Sequence, residues 1–250
     1  MSELLRISFW ETLADNPSFP LAGLLQNESV TGPKTLIVDY LQKSAERWPI
    51  NDSHDVKAAR EEGIRRMEEE AQKMLSQGDI EGVLGLLGDG ARLDFVCDKA
   101  PMLREHGLFE RALLDAWTGA RTNIRNWSPS FTKSIFGKIA DRERLLAAGQ
   151  PLPGKGPFTL YRGVAGLGAS RRVHGISWSS SVERAEWFAA WYADRFHLPN
   201  PCIYRTIVER EHILAYTNGR QEQEFLVLLP QGHRAEIFKR VSHPPTTREK

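Results

Sequence analysis

Three short segments in the last third of the chain hold residue types that can do chemistry on a charged, polar substrate. They are Leu160-Tyr161-Arg162-Gly163-Val164, then Gly175-Ile176-Ser177-Trp178-Ser179-Ser180-Ser181, then Gln221-Glu222-Gln223-Glu224-Phe225-Leu226-Val227. Arg162 lies inside a strand-like run, where a core-facing guanidinium is costly unless an anion offsets it. A phosphate would serve; a place on a solvated sheet face is the plain alternative. Gly163 beside it would let a ligand approach the backbone, or mark a bulge. The hydroxyls of Ser177 and Ser179 both donate and accept, which suits them to orienting a carboxylate or a ribose. Ser180 and Ser181 fit better as the N-cap of the helix that follows. Glu222 and Glu224 stand two apart at the start of an apolar strand, so alternation puts both carboxylates on one face. Two like charges held together raise one pKa or divide roles between them. A solvated strand edge after the Asn218-Gly219-Arg220 turn is the plain alternative.

The elements that must position these residues change character along the chain. The first half reads as helix. Thr31-Gly32-Pro33 offers a helix start, followed by Leu36, Val38, Leu41, Ala45 and Trp48 at mostly helical spacing before Pro49. Asp55 to Gln77 is rich in helix formers, with opposite charges three or four apart. Leu108 to Thr122 gives a further helix. Ser128-Pro129-Ser130 opens another, whose Phe131, Ile135, Ile139 and Leu145 or Leu146 form an apolar stripe before Gly149. Trp117, Trp127 and the leucines read as packing. Pro151 to Pro157 then places three prolines and two glycines in seven residues, which is turn chemistry. Strand periodicity follows at Phe158 to Val164, Ile203 to Val208, Glu224 to Leu229 and Ala235 to Val241, with one helix, Val182 to Arg195. The expected boundary falls near residues 150 to 156, dividing a helical region (1–152) from a strand-rich domain (153–250).

Composition narrows the function classes. Hydrophobic residues make up 41% and charged residues 26% of the 250, as in a globular protein. The longest apolar stretches, such as Phe225 to Pro230, fall far short of the roughly 20 residues that cross a bilayer. Glu3, Glu11 and Asp15 stand where an export signal would be basic and then apolar. A cytoplasmic protein with no membrane partner is expected. Cys97 and Cys202 lie far apart and outside any CxxC pair, and read as buried thiols; the seven scattered histidines form no ligand motif, so no metal is expected. Net charge is +1, but from Gly156 onward 13 Lys/Arg stand against 9 Asp/Glu, which permits a polyanionic ligand or RNA.

The order and spacing of the three segments resemble the Arg-Ser-Glu class of mono-ADP-ribosyltransferases, which includes many bacterial toxins. There an arginine on the first strand, here Arg162, precedes a Ser-x-Ser strand, here Ser177-Trp178-Ser179. A loop ending in Glu/Gln-x-Glu follows, here Glu222-Gln223-Glu224. Ala185 and Phe188, six and nine residues after Ser179, match the alanine and phenylalanine common on the next helix. The resemblance spans about 85 residues, Thr159 to Val241; the middle residue of Ser-x-Ser is usually threonine, and here is Trp178.

The resemblance implies an α+β fold, with a helical N-terminal region before a split β-sandwich that binds NAD as co-substrate without a metal. Arg162 would hold an NAD phosphate, Gly163 and Ser179 would contact the cofactor, and Ser177 would orient Glu224. Glu224 would bind the nicotinamide ribose and stabilise the charge that develops as nicotinamide leaves. Glu222 resembles the residue that assists attack by an arginine side chain; a nucleobase of RNA or DNA is the second choice of acceptor. The implied role is an intracellular toxin or defence effector with a neutralising antitoxin protein, and the helical region recognises the target, covers the cleft or binds the inhibitor. The alternatives are an NAD glycohydrolase and a non-catalytic nucleotide- or partner-binding module.

Overall fold

The computed structural model describes residues 35–46, 54–119, 128–171, 173 and 175–241. The chain divides into two compact units, residues 1–131 and 132–250. The architecture is α+β, with helices first and an antiparallel sheet after them.

The first unit is helical, with α1 (Val38–Glu46), α2 (His54–Ser76), α3 (Ile80–Leu86), α4 (Arg92–Asp98), α5 (Ala100–Glu105) and α6 (Phe109–Gly119). The long α2 carries Arg65 between Glu62 and Glu69, at 2.8 and 3.0 Å. It stops where Gly78 takes a φ of 75°, and Asp79 then caps α3 by accepting from the Gly82 N–H at 2.9 Å. Ile37, Ile80, Leu84, Leu93, Phe95, Leu103, Phe109 and Leu113 form its buried core. The helix expected from Thr31 begins at Val38, because the Glu68 carboxylate takes the N–H groups of Leu36, Ile37 and Val38 at 2.6, 2.8 and 3.2 Å. Thr31 to Pro33, Trp48, Pro49, Trp127 and the end of the helix expected at Thr122 lie outside the described residues.

The second unit holds most of α7 (Pro129–Ser134, extended by a π-turn over Ile135–Ile139), α8 (Arg142–Ala148) and α9 (Val182–Arg195), with six strands. These are β1 (Phe158–Val164), β2 (Ser177–Ser179), β3 (Cys202–Val208), β4 (Ile213–Thr217), β5 (Glu224–Val227) and β6 (Glu236–Arg240), in the order β4-β5-β2-β1-β3-β6. The single helix expected from Ser128 to Gly149 is two. Ala140 is extended, and Asp141 restarts the helix by accepting from the Arg144 N–H at 3.0 Å. The sheet unit also takes in the segment from 132 to 152 that composition groups with the helical region. Gly149 allows this by lying against β4, where a Cβ would stand 2.8 Å from the Tyr216 carbonyl, and Gln150 N–H donates to that carbonyl at 2.7 Å.

Alternation sorts the sheet. Leu160, Val208, Trp178, Tyr216 and Phe225 form a core on one face. On the other, Ala185, Ala189 and Ala190 of α9 pack with Ile203 and Val241. Cys202 is buried and Cys97 half-buried, both as free thiols. Among the described residues no helix is long and apolar enough to cross a membrane.

Burial works to raise the Glu68 carboxyl pKa, but the hydrogen bonds from Ile37, Leu36, Gln72 and Val38 outweigh it and hold the pKa below the usual range. A depressed folded value gives stability that is present above the unfolded pKa and lost as pH falls through the folded one. Glu68→Gln turns an amide donor toward backbone donors. It is expected to cost about 1–3 kcal/mol at neutral pH, with the difference narrowing under acid, as read by urea unfolding at a series of pH values.

Candidate active site

The site begins where two strands stop pairing. β1 stays in register with β3 from Phe158 to Val164, and β2 stays with β5, with Ser177, Trp178 and Ser179 opposite Leu226, Phe225 and Glu224. β1 and β2 meet at one residue pair, Tyr161 with Ser179. One residue beyond that pair, the half-buried Arg162 reaches across the opening, and its Nη1 donates to the Ser177 carbonyl. The guanidinium lies against the backbone of Gly175, where a Cβ would stand 2.2 Å from Nη2 and 2.6 Å from Cζ. Arg162 is thus a bridge within the sheet, and Gly175 makes its position possible.

On β2 and β5 the serine and the carboxylate meet. The Ser177 hydroxyl donates to the Glu224 carboxylate. Protein surrounds Glu224 on most sides, although part of its surface stays open to solvent, and this desolvation is the largest influence on its pKa. The Ser177 bond pulls the value down, Glu222 pushes it up, and Arg220 and Arg162 pull it down; the net direction is up.

Glu222 does not share a strand face with Glu224 as alternation implies. β5 begins at Glu224, and the residues flanking Glu222 are both left-handed, Gln221 at φ 57° and Gln223 at φ 47°. Such conformations are disfavoured for side-chain-bearing residues and persist where neighbours over-determine them. Here several do. Arg184 Nε donates to Gln221 O at 3.0 Å, Ser179 Oγ to Glu222 O at 2.6 Å, and Ser180 N–H and Oγ to Gln223 O and Oε1 at 3.2 and 2.7 Å. Asn218 Oδ1 accepts from Gln223 N–H at 3.1 Å, and Gln150 Oε1 accepts from Asn218 N–H at 2.8 Å. The Glu222 side chain pairs with Arg220 at 3.0 Å.

Ser179 and Gly163 also have structural roles. Ser179 is buried; its one O–H bonds Glu222 O and its oxygen accepts from Ser181 N–H at 3.0 Å, so it positions the glutamate loop. The Cβ direction of Gly163 is closed by α9, with a Cβ there falling 1.8 Å from Ala185 O and 2.6 Å from Ala189 N, so a glycine is what lets the helix lie against β1. Ser181 caps α9 through Arg184 N–H at 3.1 Å, while Ser180 serves the loop. The Trp178 ring joins the core on the opposite face, and its Nε1–H bonds Gly175 O at 2.9 Å. Sequence reasoning missed Gly175, Arg184, Asn218 and Gln150. A glycine leading into the Ser-x-Ser strand was the available signal for the first; the others act through backbone carbonyls and N–H groups that no spacing rule marks. Compared with protein-family models, curated proteins and solved structures, the chain matches none.

Gly163→Ala is expected to push α9 off β1 and to cost about 1–3 kcal/mol, visible as a lower unfolding midpoint. Glu224→Gln is expected to act in the opposite direction. Between the ordinary glutamate pKa and the raised folded value, the native state keeps a proton the unfolded chain has lost, so stability falls as pH rises through that window. The variant is therefore more stable than wild type at neutral pH, and the gain vanishes below about pH 4. Denaturant titrations across pH read both limbs, and a variant no more stable at neutral pH would contradict the assignment.

Proposed function

We propose that the chain is an NAD-dependent mono-ADP-ribosyltransferase of split β-sandwich type that modifies a macromolecular acceptor, with protein arginine as first choice. The observation that carries this reading is the Ser177 hydroxyl on the Glu224 carboxylate, beside the opening in the sheet that Arg162 spans. The split draws support from the junction of two three-stranded groups at Tyr161 and Ser179 alone. The donor set suits NAD: a guanidinium for a diphosphate, and an oriented carboxylate for a ribose hydroxyl. Bound NAD would supply a glycosidic bond with nicotinamide as leaving group.

The protein's own part is electrostatic. Arg162 holds the anionic end in a geometry that lysine does not reproduce. Ser177 fixes the carboxylate, and ionised Glu224 stabilises the positive charge that develops at the ribose. Glu222 receives the acceptor and takes its proton. The biological setting proposed with this chemistry is a cytoplasmic toxin or defence effector restrained by a neutralising protein.

Two observations favour neighbouring readings. Residues 132–250 carry 18 Lys/Arg against 11 Asp/Glu, which favours a polyanionic acceptor such as RNA or DNA. The pairing of Glu222 with Arg220 occupies the second carboxylate, and a reaction that leaves the pair closed, with water as acceptor, would make the chain an NAD glycohydrolase.

Incubation with adenylate-labelled NAD and cell lysate separates them, since label goes to protein, to nucleic acid, or only to free ADP-ribose. Glu224→Gln is expected to lower NAD consumption about 10²–10³-fold despite its added stability. Wild-type kcat/KM for NAD should decline as pH falls through the raised Glu224 value. Equal NAD turnover by wild type and Glu224→Gln would end the proposal, and equal bacterial growth on expressing the two would end the toxin role.

A further inference from the structure

We propose that Arg220 is a specificity-determining residue, a guanidinium built into the loop that occupies Glu222 until an acceptor guanidinium displaces it. This rests on the transferase reading and adds what stands between Glu222 and its acceptor. Arg220 Nη2 lies 3.0 Å from Glu222 Oε2, with the carboxylate side chain 20% exposed and the arginine 45%. The sheltered partner is the acid, and the open one is the cation. An acceptor arriving from solvent therefore meets a carboxylate that is already paired.

The backbone makes this pairing an exchange and not a fixed strut. Gln221, Glu222 and Gln223 each give their carbonyl to α9, to β2 or to the residue just after β2, through Arg184, Ser179 and Ser180, so Glu222 stays in place whatever its side chain holds. Arg220 precedes that pinned stretch, in the turn closed by Gln221 N–H on Asn218 O at 2.9 Å. A half-exposed ion pair is weak, so a competitor removes it at small cost. Only a cation regains the charge-assisted bond that Arg220 gives up, and a planar fork regains it best. The loop thus selects acceptors that look like Arg220 itself. The same cation also acts on Glu224, working against the rise of its carboxyl pKa.

The test uses agmatine, a small guanidine, as acceptor at saturating NAD and at a pH where Glu224 is ionised. Arg220→Gln is expected to lower the agmatine KM about two- to sixfold, the range a partly exposed ion pair supports. Arg220→Lys restores the charge and should return KM most of the way to the wild-type value, a rescue that a merely structural role would not produce. Unfolding midpoints of both variants confirm an intact fold. An agmatine KM that stays the same or rises in Arg220→Gln overturns the proposal, as does a lysine variant indistinguishable from the glutamine one. If wild type consumes NAD but KM does not respond, this inference alone fails; if wild type consumes no NAD, the transferase reading fails with it.

Discussion

The second unit is organised by a backbone carbonyl that has lost its strand. Past the Tyr161–Ser179 pair, β2 follows β5 and β1 follows β3, so Ser177 O faces an opening where a ladder partner would be. A carbonyl left there without a donor would carry the full desolvation penalty. Arg162 supplies the donor from the strand that turned away. The same geometry sets a cation at the edge of the opening, and it puts the Ser177 hydroxyl, one residue's alternation from the core-facing Trp178, on Glu224. Structural necessity and candidate chemistry therefore use the same atoms.

A second constraint acts on the loop before β5. Left-handed backbone at Gln221 and Gln223 costs free energy, and so does desolvation of Glu224. Neither helps the fold. Both are tolerated because Ser179, Ser180, Arg184 and Asn218 hold the loop through main-chain groups, so that no single contact carries it. A protein selected only for stability would replace Glu224 with a neutral residue. Keeping a partly desolvated acid at this strand end is the pattern expected of a functional site.

Much of this fold was legible in local sequence, and the exceptions share a cause. β1 and α9 fall where periodicity puts them, since alternation and capping at Ser181 are local signals. The break at Ala140, the start of α1 at Val38 and the strand Ile213–Thr217 escaped, the first two because Asp141 and Glu68 redirect the backbone by hydrogen bonds to N–H groups. In the site, residue types and order picked out Arg162, Ser177 and Glu224. They did not show that Ser179 also holds a carbonyl and that Gly163 also lets a helix come close. Such roles leave no trace in side-chain chemistry, and only tertiary approach defines them.

That approach joins the two halves of the site mechanically. α9 touches β1 at Gly163, where Ala185 O leaves no room for a Cβ, and its first turn binds the glutamate loop through Arg184. One rigid helix therefore spans from the strand that carries Arg162 to the residues that carry Glu222 and Glu224. The strand that carries Arg162 and the loop that carries Glu222 thus both rest on the first turns of α9. A glycine on the strand and an arginine in the first turn of the helix make those two contacts.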